Sequence, residues 1–140
     1  QKENEEKATY KVLPPYEEAI YKLNELDEKL LWQNNKIKEY YSELTEIVRG
    51  YIERELQVPA LENTTDEILE MLKEFKKAET ILLSKDTFKK LQELLREADL
   101  VKFAKSKPLA LEIKEDRKDA EDIISNLTPK PIFKENDELE

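Results

Sequence analysis

The chain has 140 residues, which is enough for one domain with a single hydrophobic core. Charged residues make up 41% of it and glycine occurs once, so we expect helices rather than β-hairpins, whose turns need glycine. The net charge of -9 disfavours binding to nucleic acid or anionic lipid, and the absence of histidine and cysteine excludes catalysis or zinc binding that depends on them.

The two ends of the chain differ in composition from the middle. Residues 1–12 begin with a polar, charged run, and residues 128–140 combine two prolines with an acidic finish. Such segments lack the apolar surface that would offset the entropy of ordering them. We therefore predict flexible termini at 1–12 and 128–140 around a helical domain at 13–127.

The first predicted helix starts at Pro14 and Pro15, because proline suits the first helical turn, and it ends near Trp32. Its apolar residues recur at helical spacing and form one stripe, which consists of Tyr16, Ile20, Leu23, Leu26 and Leu30.

The second predicted helix follows a cap at Asn34 and Asn35 and has an unusually wide apolar face. Its main stripe is Ile37, Tyr40, Leu44, Ile47 and Tyr51, and a flank of Tyr41, Val48 and Ile52 widens it. Such a face predicts the central helix of the domain. Gly50 lies within this helix and marks either a close approach of a neighbouring helix or a tolerated surface position.

Three more helical segments follow. Pro59 interrupts the pattern, and Thr64 or Thr65 then caps a third helix, with Thr64 and Glu67 spaced as a capping box. A fourth helix runs from Ser84 toward Phe103. Pro108 opens a fifth, whose inward residues are predicted to be Leu109, Ile113, Ala120, Ile123, Ile124 and Leu127. The fold class is therefore all-α, a compact bundle of about five helices.

One group of carboxylates has the spacing of a cation site. Glu112, Asp116 and Asp119 fall on one helical face, although interleaved basic residues favour a solvated face instead. A di-iron site in a helical bundle uses Glu-x-x-His pairs, and the chain has no histidine. We predict no enzyme activity, no cofactor and no metal.

A docking surface is the other candidate site. Trp32 together with the flank of Tyr41, Val48 and Ile52 could form an open apolar patch, in which aromatic side chains anchor a protein partner. In the alternative, another helix covers the flank and these residues belong to the core.

An ordered set of short motifs resembles the cytoplasmic helical domain of a bacterial membrane-protein family that includes BatD-like proteins of the Bacteroidetes type. The motifs lie at residues 31–33 (Leu-Trp-Gln), 36–41 (Lys-Ile-Lys-Glu-Tyr-Tyr), 44–45, 51–54, 59–62, 64–68 and 98–104, and the similarity spans about 13–127. Members of that family carry a membrane span before this domain and are encoded beside MoxR-type ATPases and von Willebrand factor A proteins.

The resemblance implies a location at the cytoplasmic side of the bacterial inner membrane and protein partners such as those ATPases and von Willebrand factor A proteins. The chain itself has no apolar run of roughly 20 residues, so we expect it to be soluble as given and any anchor to lie upstream. The predicted function is a non-catalytic adaptor or regulatory domain that binds proteins. The alternative is a nucleic-acid-binding regulator with an element like a helix-turn-helix, which the acidic charge disfavours.

Overall fold

A computed structural model describes residues 13–131 of the protein, which form a bundle of five α-helices with one small sheet. The helices are α1 (Pro15–Glu28), α2 (Ile37–Leu56), α3 (Thr65–Lys77), α4 (Lys85–Phe103) and α5 (Ala110–Asn126). Strand β1 (Ile81–Leu82) pairs with strand β2 (Thr128–Pro129). The predicted all-α bundle is confirmed.

Two helix starts follow directly from local chemistry. The Thr64 side chain accepts a hydrogen bond from the Glu67 N–H at 3.1 Å, and the Glu67 carboxylate accepts one from the Thr64 N–H at 2.8 Å. Ser84 Oγ accepts from the Thr87 N–H at 3.0 Å. These bonds satisfy N–H groups that the first turn leaves without partners, so the predicted starts of α3 and α4 are confirmed.

The loop between α1 and α2 differs from the prediction. Helix α1 ends at Glu28 rather than near Trp32, because Leu30 has a left-handed φ of 51° that stops the helix. Lys36, not an asparagine, occupies the N-cap position of α2. Asn35 takes a φ of 65°, and the Asn34 side chain donates to the Leu30 carbonyl at 2.9 Å. The asparagines therefore shape this loop and do not cap α2.

Helix α2 lies at the centre of the bundle, as predicted, and contacts α1, α4 and α5. Its buried residues are Tyr40, Tyr41, Leu44, Thr45, Val48, Tyr51 and Ile52. Ile37 and Ile47 are only partly buried, so the middle of the buried face lies on the predicted flank. Thr45 is tolerated there because its hydroxyl donates to the Tyr41 carbonyl at 2.8 Å.

The helical domain was predicted to end at Leu127, but the residues directly after it still pair with the bundle. Thr128 and Pro129 lie antiparallel to Leu82 and Ile81, and the Lys130 N–H donates to the Thr80 carbonyl at 2.9 Å. The extended link between α3 and α4 supplies these backbone partners, so the first residues of the predicted tail are held against the bundle. Residues 1–12 and 132–140, where the rest of the predicted flexible termini fall, lie outside the described residues.

The described helices pack against one another. Between residues 13 and 131, no helix combines the length and the apolar composition needed to cross a membrane.

Gly50 does not mark a close approach between helices. A Cβ added at this position would meet no atom within 4 Å, and Gly50 has no positive φ. We therefore expect Gly50→Ala to stabilise the protein by about 0.5–1 kcal/mol, because alanine loses less backbone entropy than glycine in a helix. Urea unfolding followed by circular dichroism would measure this gain. Destabilisation would mean that the surroundings of Gly50 have no room for a methyl group.

Candidate functional site

The predicted docking patch on α2 is closed, so that prediction is wrong. Tyr41, Val48 and Ile52 are each 0% exposed and belong to the hydrophobic core. Trp32 is partly buried and packs against that core. The bundle covers the flank because α2 is surrounded by α1, α4 and α5, and the Tyr41 hydroxyl donates to the Asp116 carboxylate of α5. Tyr41, Val48 and Ile52 therefore hold the fold together and form no open surface, which agrees with the alternative in which another helix covers the flank.

The three carboxylates that have the spacing of a cation site, Glu112, Asp116 and Asp119, do not converge on one point. Glu112 accepts a hydrogen bond from the Leu109 N–H at 2.7 Å and thereby caps the start of α5. Asp116 faces Tyr41, and Asp119 is partly exposed near Lys90. Within residues 13–131, no group of three or more acidic side chains has an arrangement that could hold a metal ion.

Asp116 has an unusual environment for a carboxylate. Burial raises its pKa to about 6, although the hydrogen bond from Tyr41 acts in the opposite direction. The negative charges of Glu97, Asp119 and Glu112 raise the pKa further. This carboxylate therefore titrates close to neutral pH, and its contact with Tyr41 connects α5 to the core.

Exposed apolar side chains concentrate where α4 meets α5. Phe103 is 79% exposed, Leu109 is 71% exposed and Leu111 is 75% exposed, and Leu100 lies one turn before Phe103 with half of its surface exposed. We call these four residues the α4–α5 corner. Large apolar side chains left exposed on a surface are typical of protein-binding sites.

The linker between the helices explains why the corner faces outward. Helix α4 ends at Phe103, Lys105 takes a left-handed φ of 58°, and Pro108 is buried. The buried proline anchors the linker, while Lys107 and Leu109 on either side of it are exposed. Leu109 was predicted to point inward, but it occupies the N-cap position of α5, before the helical stripe begins at Ile113.

A groove lies on the α3 side of the corner. It has a volume of about 730 Å³, and we call it the Arg49 groove. Its lining residues come from α2, from the loop before α3, from the start of α3 and from the end of α4. They are Ser42, Thr45, Glu46, Arg49, Leu61, Thr64, Thr65, Asp99, Lys102 and Phe103. Phe103 belongs to both the groove and the corner.

The Arg49 groove contains a small polar network. Arg49 donates to the Asn63 carbonyl and to Thr65 Oγ1, and the Thr65 hydroxyl donates to Asp99 at 2.7 Å. Burial lowers the pKa of Arg49, and burial together with the nearby Arg49 charge lowers the pKa of Lys102. Asp99 is thus a hydrogen-bond partner of Thr65.

A second groove lies on the other side of α4 and is strongly acidic. Its volume is about 720 Å³, and α4 and α5 line it with Lys89, Gln92, Glu93, Arg96, Glu97, Leu100, Glu112, Glu115, Asp116 and Asp119. Six of these ten residues are acidic and two are basic. The α4–α5 corner therefore separates an acidic groove from one that contains two partly buried cations.

Comparison of the chain with known protein families, with curated proteins and with solved structures found no match. The membership of a BatD-like family therefore stays a prediction.

One signal in the sequence could have located the corner. Leu111 lies two residues before Ile113, and Phe103 lies two residues after Val101, so both are out of phase with the buried stripes of their helices. An apolar residue on the polar face of an amphipathic helix is a candidate for binding. The widest apolar face in the sequence, that of α2, is used by the bundle for its core.

Proposed function

We propose that the chain is a non-catalytic protein-interaction domain, an adaptor or regulatory module, which docks onto a partner through the α4–α5 corner. The observation that carries this proposal is the exposure of Phe103, Leu109 and Leu111, each more than two thirds exposed within nine residues of sequence. A partner that buried one of these side chains would gain about 1.5–3 kcal/mol of binding free energy from it.

The location and the partners are proposed from the family resemblance. We place the domain at the cytoplasmic side of a bacterial inner membrane, carried by an anchor outside this chain. MoxR-type ATPases and von Willebrand factor A proteins are then the first partners to test. A partly apolar corner with largely exposed side chains suits a folded protein surface better than a small substrate, which binds in an enclosed cleft.

The alternative function, nucleic-acid binding, lacks support from the surface charge. The corner adjoins an acidic groove, and the net charge of the chain is -9, so a polyanion would be repelled at this end of the bundle. A titration with duplex DNA at increasing salt separates the two functions. Affinity that is measurable and falls steeply with salt would support the nucleic-acid alternative.

The corner is tested by a double substitution, Leu109→Ser with Leu111→Ser. We expect the free energy of unfolding to change by less than about 0.5 kcal/mol, because both side chains are exposed, and partner affinity to fall at least about tenfold. Interferometry with purified MoxR-type ATPase and von Willebrand factor A protein would measure the affinity, and urea unfolding would measure stability.

Leu82→Ser is the matched control, because Leu82 is an exposed leucine of β1, far along the chain from the corner. This change should leave partner affinity intact. If the corner variant binds as tightly as the wild-type chain, the corner is not the docking surface. An equal loss of partner affinity in Leu82→Ser would show that any change from leucine to serine on the surface weakens binding.

A further inference from the structure

We propose that the Arg49 groove binds an acidic peptide segment of a protein partner. Arg49 and Lys102 would receive one carboxylate of that segment. Leu61 and Phe103 would receive an apolar side chain next to it. This inference rests on the proposed function, since the groove shares Phe103 with the α4–α5 corner and extends the contact surface toward α3.

The first observation is that Arg49 lacks an ion pair. The chain has four arginines, and the other three, Arg54, Arg96 and Arg117, each lie within 4 Å of a carboxylate. Arg49 is half-buried, yet among the described residues it forms no salt bridge and donates only to the Asn63 carbonyl and the Thr65 hydroxyl. Partly buried charges are usually paired, so this guanidinium has capacity for an anion.

The second observation is that Lys102 lies near Arg49 and is also without an ion pair among residues 13–131. Its ammonium group contacts the ring of Phe103, with 5.7 Å between the nitrogen and the ring centroid. Asp99 is near both cations, but it accepts a hydrogen bond from Thr65 and forms a salt bridge with neither. Two cations that share one nearby carboxylate, with no salt bridge to it, would be stabilised by a second carboxylate between them.

The third observation concerns the rim and the size of the groove. Leu61 is nearly half exposed and Phe103 is largely exposed, so apolar surface flanks the cations. The volume of about 730 Å³ falls within the range of about 300–1,000 Å³ that is typical of ligand-binding clefts. Glu46 also lines the groove and is exposed, which restricts the ligand to a single carboxylate near Arg49.

The surroundings favour a short acidic segment over a long polyanion. The groove places the cations Arg49 and Lys102 beside the carboxylates Glu46 and Asp99, so it lacks the excess positive charge that a polyanion needs, and the acidic groove lies across α4. A segment with one carboxylate in the groove gains the local attraction, whereas a nucleic acid strand would also meet the carboxylates around it.

The test uses the full 140-residue chain and a labelled probe peptide in which glutamates alternate with leucine and phenylalanine. Fluorescence anisotropy should show saturable binding that weakens as salt is added. Lys102→Glu should weaken binding at least about tenfold, because it replaces an attractive charge with a repulsive one. Phe103→Ala should weaken binding too, while a peptide with glutamine in place of glutamate should bind poorly.

The matched control is Lys118→Glu, which makes the same charge change at an exposed lysine of α5. We avoid substituting Arg49 because it joins α2 to the start of α3. Circular dichroism verifies that each variant folds. If Lys102→Glu does not fold, Lys102→Gln provides the same test with a smaller change. Equal losses for Lys102→Glu and Lys118→Glu, equal binding of the glutamine peptide, or displacement of the probe by duplex DNA would each overturn the proposal.

The corner variant separates this inference from the proposed function. Leu109→Ser with Leu111→Ser should leave peptide affinity unchanged, since neither leucine lines the groove. If that variant keeps full partner affinity while peptide binding still depends on Lys102, the corner proposal fails and the groove proposal stands. If partner affinity needs the corner but no peptide binding depends on Lys102, the groove proposal fails alone.

Discussion

Leu44→Ala is expected to destabilise the protein by about 2–5 kcal/mol. Leu44 is 0% exposed on the central helix α2, so truncation to alanine removes apolar contacts and leaves a cavity that rigid neighbours only partly fill. A loss of this size is a large fraction of the stability of a typical domain, which is about 5–15 kcal/mol. Urea unfolding monitored by circular dichroism at one fixed pH would measure it.

Ile47→Ala is the matched control for this prediction, because Ile47 lies on the same helix but is only partly buried. It should cost clearly less than Leu44→Ala, since less apolar surface returns to water. If the two substitutions cost the same, or if Leu44→Ala costs less than about 1 kcal/mol, the buried face of α2 is not the one described above.

Asp116→Asn is expected to stabilise the protein by about 1–3 kcal/mol above pH 7. The pKa of Asp116 rises from 3.8 to about 6 in the folded protein, so folding must hold an ionised carboxylate in a poor environment at neutral pH. A shift of about two units corresponds to at most about 3 kcal/mol. Asparagine keeps an oxygen that can accept the Tyr41 hydroxyl bond, and it carries no charge.

The dependence on pH has a definite sign. Between about pH 4 and pH 6 the folded state holds a proton on Asp116 that the unfolded state has lost, so this group makes stability fall as pH rises through that window. Above pH 7 both states are ionised and its contribution is constant. Burial also raises the pKa values of Glu97 and Asp119. Asp116→Asn should therefore weaken the dependence of the unfolding free energy on pH without removing it.

Urea unfolding at pH 5 and at pH 7.5 would test this linkage. The gain from Asp116→Asn should be larger at pH 7.5 than at pH 5. Glu115→Gln is the control, because Glu115 is an exposed carboxylate on the same helix. A gain that is the same at both pH values would mean that Asp116 titrates well below the tested range.

Helix caps and apolar stripes were predictable, because they depend on residues that lie a few positions apart in the sequence. The capping box of Thr64 and Glu67 and the cap at Ser84 depend on side chains that bond to backbone within three residues, so the residues themselves specify these starts. The stripes that contain Leu23 and Leu26 in α1, or Ile123 and Ile124 in α5, are buried for the same kind of reason. Helical spacing places these side chains on one face, and one apolar face must be covered.

Spacing alone could not decide the loops and the ends of helices. Leu30 continues the apolar stripe of α1, but its left-handed φ ends the helix before that residue. Leu109 continues the stripe of α5 and is exposed, because it precedes the first helical turn. Backbone conformation at these points depends on how the linkers must join helices that have already packed.

By itself, the sequence determined that this protein is helical, where α3 and α4 begin and which helix lies at the centre, because these features depend on periodicity and on contacts a few residues apart. Only the tertiary structure decided which apolar and charged side chains remain available for binding. The surroundings of α2 turn Tyr41 and Ile52 into core, and the packing of α2, α3 and α4 brings Arg49 and Lys102 to one groove. These residues are far apart in the sequence, and their meeting depends on the relative placement of whole helices, which no local pattern encodes.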